Sequence, residues 1–225
     1  MPDRNPLIVA LDRPDLDGAE ELAGSLAGAV GMLKVGLELF CANGPEAVRR
    51  IRAHAPVFLD LKLHDIPTTV GRAAREAGRL GPELLTVHAL GGETMVRAAV
   101  EGAAEGADRG GFPPPSIVAV TVLSSVGGES LASPASLGFE AVSAGAAGVV
   151  VSGEDVREVR EALGDGPLVV VPGVRPEGFG SNDHVRVLTP REALAAGADH
   201  LVVGRPVTGA SDPAGAARMV LAEIG

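Results

Sequence analysis

The chain has 225 residues, 46% hydrophobic but only 2% aromatic, with five Phe and neither Trp nor Tyr, and its formal net charge is -10. That length suits one domain over residues 1–225, with a core that needs no disulfide or structural metal. The acidity opposes nucleic-acid phosphates, no basic stripe offsets it, residues 1–5 hold no apolar signal region, and no segment approaches the ~20 apolar residues of a bilayer span, which leaves a cytoplasmic protein with neither nucleic acid nor membrane as partner.

Eight short apolar runs read as strands in chain order: 7–11, 32–35, 57–61, 84–88, 117–122, 148–151, 168–171 and 200–203. Between the first two, Asp17 is placed to cap a helix over 18–29, and after the third, Thr68 precedes a helix over 70–80. The Gly- and Pro-rich stretch 106–115 reads as a connection into the fifth strand. Thr189-Pro190 precedes a helix over 191–196, and Asp212-Pro213 opens a last helix towards Ile224. Eight β-α units whose strands are continuously apolar predict a single-domain α/β fold, a (β/α)8 TIM barrel, with a doubly wound open sheet as the alternative.

In such a barrel the chemistry lies where strands end. The ends in order are Asp12, Lys34, Asp60 with Lys62, His88, Thr121, Ser152, Arg175 and Gly204-Arg205. Of the 19 basic residues 17 are Arg, and the two lysines, Lys34 and Lys62, both fall at strand ends. Guanidinium holds its proton, so a Lys kept where Arg is otherwise preferred marks a site that needs a compact, acidic ammonium. Side-chain alternation puts Asp60 and Lys62 on one face, about 6.6 Å apart along the strand, with Leu59, Leu61 and Leu63 outward. A buried ion pair kept only as a brace is costly to desolvate, so the pattern points to function. Pro67 disfavours helix at Ile66, which sets Asp65 and Thr69 on a loop at the same rim. The lone Cys41 is expected to be a small apolar side chain and not a nucleophile. His54, His88 and His200 are expected to be structural.

The run Phe58-Leu59-Asp60-Leu61-Lys62-Leu63-His64-Asp65-Ile66-Pro67-Thr68-Thr69-Val70 resembles the signature of the orotidine 5'-phosphate decarboxylase family. Segments 10–12, 34–36, 121–124, 172–176 and 203–206 match that family in order, so the resemblance spans nearly the whole chain. It implies that Asp12, Lys34, Thr121 and Ser124 hold ribose and pyrimidine, and that Arg175, His184, Gly204 and Arg205 hold the phosphate. It also implies a homodimer in which Asp65 and Thr69 complete the partner's site. His184 stands where the family usually has Gln, and His64 is given a supporting role. The expected substrate is a nucleoside monophosphate, with no metal and no cofactor.

The implied reaction converts orotidine 5'-phosphate to uridine 5'-phosphate in pyrimidine biosynthesis. Loss of CO2 leaves the C6 electrons in an orbital that the ring cannot delocalise, so preorganised charge has to stabilise them. Lys34, Asp60, Lys62 and the partner's Asp65 are expected to form an alternating row, with Lys62 stabilising and then protonating C6. Two rivals compete with this reading. Magnesium-dependent sugar-phosphate decarboxylases and aldolases share an Asp-x-Lys-x-x-Asp run but follow it with Ala-Gly, where this chain has Ile66-Pro67. A silent phosphate-binding barrel has no reason to keep the Lys34/Asp60/Lys62/Asp65 set.

Overall fold

Val, Ile and Leu dominate the short runs because branched side chains pack well on a pleated surface that is covered on both faces. In the computed structural model, which describes residues 5–122, 132–176 and 188–224, these runs form eight strands. In chain order the elements are β1 (Leu7–Ala10), α1 (Leu16–Leu26), β2 (Met32–Gly36), α2 (Leu37–Asn43), α3 (Pro45–Arg52), β3 (Val57–Leu63), α4 (Pro67–Gly78), β4 (Leu84–His88) and α5 (Gly92–Gly110). They continue as β5 (Ser116–Val120), α6 (Pro134–Ser143), β6 (Gly148–Val150), α7 (Val156–Leu163), β7 (Leu168–Pro172), α8 (Pro190–Ala195), β8 (His200–Val203), α9 (Arg205–Thr208) and α10 (Pro213–Ile224). Each strand pairs in parallel with the next, and β8 closes on β1 through Leu7↔Leu201 and Val9↔Val203. The closed barrel is the expected (β/α)8 architecture, and the open sheet is excluded.

Alternation along the strands divides the apolar residues into two layers. Ile8, Met32, Phe58, Leu84, Val118, Val150, Val170 and Val202 fill the barrel interior. Their outward neighbours, such as Leu7, Val9, Leu33, Leu59, Leu85 and Val203, form the larger core between strands and helices. With Val at half of these positions and Phe58 as its one aromatic, the interior fills a narrow barrel mainly with aliphatic side chains. The same alternation sends Asp60 and Lys62 towards the axis, while Leu59, Leu61 and Leu63 join the outer core.

Several local expectations are corrected. Asp15, not Asp17, caps α1, its carboxylate accepting from the Gly18 amide at 2.9 Å. Ile66, not Thr68, is the cap residue of α4, which starts on Pro67 with no side-chain cap bond. Residues 106–110 are helical, because α5 continues to Gly110 and only the remainder connects to β5. Cys41 is exposed rather than packed. Thr189 does cap α8, in a capping box with Glu192.

The extension of α5 has a tertiary cause. A Cβ placed on Gly102 would lie 2.1 Å from the Gly71 carbonyl oxygen, one on Gly106 1.9 Å from that of Arg75, and one on Gly78 2.3 Å from that of Ala103. Helices α4 and α5 therefore pack backbone against backbone along a glycine seam. Local propensity would disfavour helix there, but close packing outweighs it.

Candidate active site

The C-terminal ends of β1, β2 and β3 converge on a charged cluster at one mouth of the barrel. Lys62 Nζ donates to both Asp60 oxygens at 2.8 Å. Lys34 Nζ lies 3.6 Å from Asp60 Oδ2 and 3.0 Å from Asp12 Oδ1. Asp60 thus stands between the chain's two lysines. The side chains of Asp60 and Lys34 are 11% and 12% exposed, that of Lys62 is 32% exposed, and Asp12 lies at the rim with 61% exposure. Partial desolvation of such a group strengthens every electrostatic contact a bound molecule would make with it. A Cβ on Gly36 would come 2.9 Å from Lys34 Nζ, so the small residue after β2 leaves room for this lysine to reach Asp12.

Strand β3 distorts to present Lys62. Its pairing with β4 shifts register between Leu59 and Leu63, and Lys62 has φ 49°, the one positive φ on a non-glycine residue among those described. A left-handed lysine costs on the order of 1–2 kcal/mol and persists only where its surroundings enforce it. The Lys62 amide donates to Thr86 Oγ1 at 2.8 Å, and that hydroxyl donates to Asp60 Oδ1 at 3.0 Å. Thr86 is fully buried. Sequence reasoning passed over it because it looks like an ordinary β-former. The available signal was a lone hydroxyl at an inward position of a strand otherwise built from apolar residues and ending in His88.

His88, also on β4 and expected to be structural, lines neither of the site's two cavities but lies within reach of the Lys62 charge. Its ring stacks on His64 with centroids 5.2 Å apart and planes 24° apart. Burial, followed by the His64 and Lys62 charges, pushes the His88 pKa down. His54, expected to be structural, has Nε2 3.6 Å from Glu20 in a cluster that also holds Arg50 and Asp17.

Two cavities share Lys34 and Asp60. The inner one, about 200 Å³, adds Phe58, Lys62, Val120, Val150 and Ser152 to its lining. The outer one, about 290 Å³, runs past Asp12 to Gly173, Arg175, Gly204 and Arg205. A Cβ on Gly204 would meet nothing nearer than Ala10 Cβ at 4.0 Å, so its missing side chain leaves open space. The Val207 and Thr208 amides bond to the Gly204 carbonyl and Pro206 has no amide hydrogen, so none of these three backbones is an open anion donor. Together the two cavities suit an elongated molecule that meets Lys34, Asp60 and Lys62 at its inner end and Arg175 and Arg205 at its outer end.

The remaining expected residues divide into three groups. Thr121 is buried, its hydroxyl donating to the Val150 carbonyl at 3.2 Å, and it lines neither cavity. Asp65 is exposed on the rim beyond β3, whereas Thr69, expected on a loop, is exposed in the first turn of α4 because that helix already starts on Pro67; among the described residues Asp65 makes no ion pair, its Oδ1 accepting from the Ile66 amide at 2.7 Å. Ser124 and His184 lie outside the described residues. Among the described residues no group of three or more His, Cys, Asp or Glu is disposed to hold a metal ion, and no helix is long and apolar enough to cross a membrane.

A family model described as "Orotidine 5'-phosphate decarboxylase / HUMPS family" matches residues 5–220. An orotidine 5'-phosphate decarboxylase of Anaeromyxobacter dehalogenans is 52% identical, the match covering 97% of each chain. One of Moorella thermoacetica is 47% identical over 98% of this chain and 92% of the relative. Among solved structures, an orotidine 5'-phosphate decarboxylase from Lactobacillus acidophilus superposes with a TM-score of 0.84 at 34% identity, covering 98% of this chain and 99% of that one.

Proposed function

Since the chain belongs to the orotidine 5'-phosphate decarboxylase / HUMPS family, we propose that it decarboxylates orotidine 5'-phosphate to uridine 5'-phosphate in pyrimidine biosynthesis. The observation that carries this reading is the Lys34–Asp60–Lys62 row between the two cavities. The pyrimidine occupies the inner cavity and the phosphate the outer one, near Arg175, Gly204 and Arg205, with His184 as a further phosphate ligand. Arginine's fork and a glycine-opened backbone suit a phosphate dianion. Asp12 and Lys34 hold the ribose and Ser124 meets the pyrimidine, while Thr121, which lines neither cavity, acts at one remove by bonding to the backbone of Val150 in the inner wall.

The C6–carboxylate bond breaks with its electron pair left on C6 and CO2 released. Lys62 is the cation set to face that pair, and its Nζ–H then moves to C6, leaving an amine that solvent reprotonates. Its position is fixed beforehand by Asp60, so little reorganisation accompanies the reaction. Asp60 also faces the departing carboxylate, and repulsion between the two would be relieved as CO2 leaves. The phosphate lies remote from C6, and its binding energy serves to order the reacting end.

We further propose a cytoplasmic homodimer of single-domain chains, in which Asp65 and Thr69 complete the partner's site. Asp65 has no counter-charge within the described part of its own chain, and three large apolar residues stand exposed on the neighbouring rim segments: Leu37 after β2, Ile66 after β3 and Leu90 after β4. Exposed apolar side chains grouped around an unpaired carboxylate suit a covered surface.

The test mixes purified protein with orotidine 5'-phosphate and follows loss of the orotate absorbance, with and without EDTA. Turnover unchanged by EDTA is expected. Absence of turnover refutes the decarboxylase reading, and turnover abolished by EDTA and restored by Mg2+ returns the magnesium-dependent alternative.

A further inference from the structure

The distortion of β3 requires something to hold it. Lys62 is left-handed, the strand slips register beside it, and the carboxylate that grips its ammonium belongs to the residue two positions earlier. All three features meet at one atom, Thr86 Oγ1. It accepts the Lys62 amide hydrogen at 2.8 Å, so its own hydrogen is free to point at Asp60 Oδ1, 3.0 Å away. The direction of both hydrogen bonds is therefore fixed by chemistry, because an amide can only donate and a carboxylate can only accept. Threonine is branched at Cβ and its χ1 is restricted, so a buried Thr holds its hydroxyl in one place better than Ser does.

Removing the hydroxyl would leave a buried amide and one carboxylate oxygen short of a partner. Asp60 Oδ1 would retain only Lys62, while Oδ2 has both lysines within 3.6 Å, so the carboxylate would turn towards Lys34. Lys62 would lose the contact that opposes relaxation of its φ. We propose that Thr86 is a positioning residue, one that sets both the ammonium of Lys62 and the carboxylate of Asp60 for the reaction without touching substrate. The proposal rests on the decarboxylase reading and assigns that site a determinant on β4.

The test compares Thr86→Val, which keeps the shape and loses the hydroxyl, with Thr86→Ser, which keeps the hydroxyl. Displacement of a reacting group by a fraction of an ångström to 1 Å predicts that Thr86→Val lowers kcat by about ten- to a hundredfold while KM and the affinity for uridine 5'-phosphate stay within about threefold. Thr86→Ser should recover most of the loss. A folded Thr86→Val with wild-type kcat, or a Thr86→Ser as impaired as Thr86→Val, overturns the proposal. If Thr86→Val does not fold, Thr86→Ala beside Thr86→Ser makes the same comparison. A crystal structure of the hydroxyl-less variant supplies a readout independent of turnover. Lys62 is expected to leave positive φ or Asp60 to rotate, and an unchanged Lys62–Asp60 geometry overturns the proposal. Wild-type protein that is inactive on orotidine 5'-phosphate counts instead against the decarboxylase reading, and the crystallographic comparison still decides the role of Thr86.

Discussion

Replacing Gly106 with Ala tests the α4/α5 seam through a single methyl group. The added Cβ would sit 1.9 Å from the Arg75 carbonyl oxygen, 2.7 Å from its carbon and 3.0 Å from its Cα, all of them backbone atoms that no rotamer change can move. Real Cβ atoms stay beyond 3.0 Å, so the helices have to part by about 1.1 Å at this point, the difference between 3.0 and 1.9. Overpacking of this kind costs about 1–3 kcal/mol, and Ala returns roughly 0.5–1 kcal/mol by lowering the entropy of the unfolded chain; at the middle of both ranges the net loss is about 1.2 kcal/mol. For a chain of this size that loss corresponds to a fall in Tm of about 2–5 °C. The internal control is Gly138→Ala in α6, where the nearest atoms to the new Cβ are Val149 Cγ1 at 3.4 Å and Leu163 Cδ1 at 3.5 Å. There the propensity gain is unopposed, so Gly138→Ala should leave Tm unchanged or raise it. Thermal and urea unfolding followed by circular dichroism measure both variants. Equal shifts in the two, or a Gly106→Ala as stable as wild type, would refute the argument that backbone contact rather than helix propensity governs the seam.

Three further outcomes are expected. Lys62→Ala should abolish decarboxylation while leaving uridine 5'-phosphate binding measurable by calorimetry, and Lys62→Arg should be nearly as inactive because guanidinium is a poor acid; substantial turnover in either would reassign the proton donor. If Asp65 serves the partner's site, equal mixing of inactive Asp65→Ala and Lys62→Ala dimers should restore about a quarter of wild-type activity, since half the dimers become hybrid and each hybrid holds one intact site of two. No recovery after verified subunit exchange would place the whole site within one chain. His88 is held below its usual pKa of 6.5, so the unfolded chain takes up its proton first as pH falls. The associated stability is complete above 6.5 and is lost as pH drops below it towards the folded pKa, so the stability difference between wild type and His88→Gln should shrink on acidification and stay level on the alkaline side.

The barrel was legible because its strands are apolar on both faces and evenly spaced, which only a sheet covered by helices requires. The Lys34–Asp60–Lys62 row was legible for a related reason: charge on the inward face of such a strand has no structural use, and the scarcity of lysine sharpened the signal. What escaped notice depended on contacts between elements distant in sequence. Residues 106–110 look like loop until α4 is laid against them, and then their glycines are what permits the helix to approach. Thr86 gains its importance only because β3 slips register beside it, and the left-handed Lys62 leaves no mark on a pattern of alternating side chains. The caps of α1 and α4 missed by two residues each because Asp15 and Asp17, like Ile66 and Thr68, compete locally and the helix start is settled by the strand that precedes it.

Lys34 and Lys62 are the only lysines in the chain, and both line the same inner cavity. Amine-directed chemistry therefore meets no side-chain amine elsewhere on this protein. Acylating dyes, reductive methylation before crystallisation or lysine-coupled immobilisation would find their side-chain targets only in the reaction centre, and each calls for a site-filling ligand as protection. The same distribution makes a bound ligand visible by mass spectrometry, since occupancy of one pocket would shield every lysine the chain possesses. A phosphate-bearing scaffold armed with a mild lysine electrophile would have two side-chain targets on the chain, both at the cavity wall, with the guanidinium groups on the rest of the surface left unmodified.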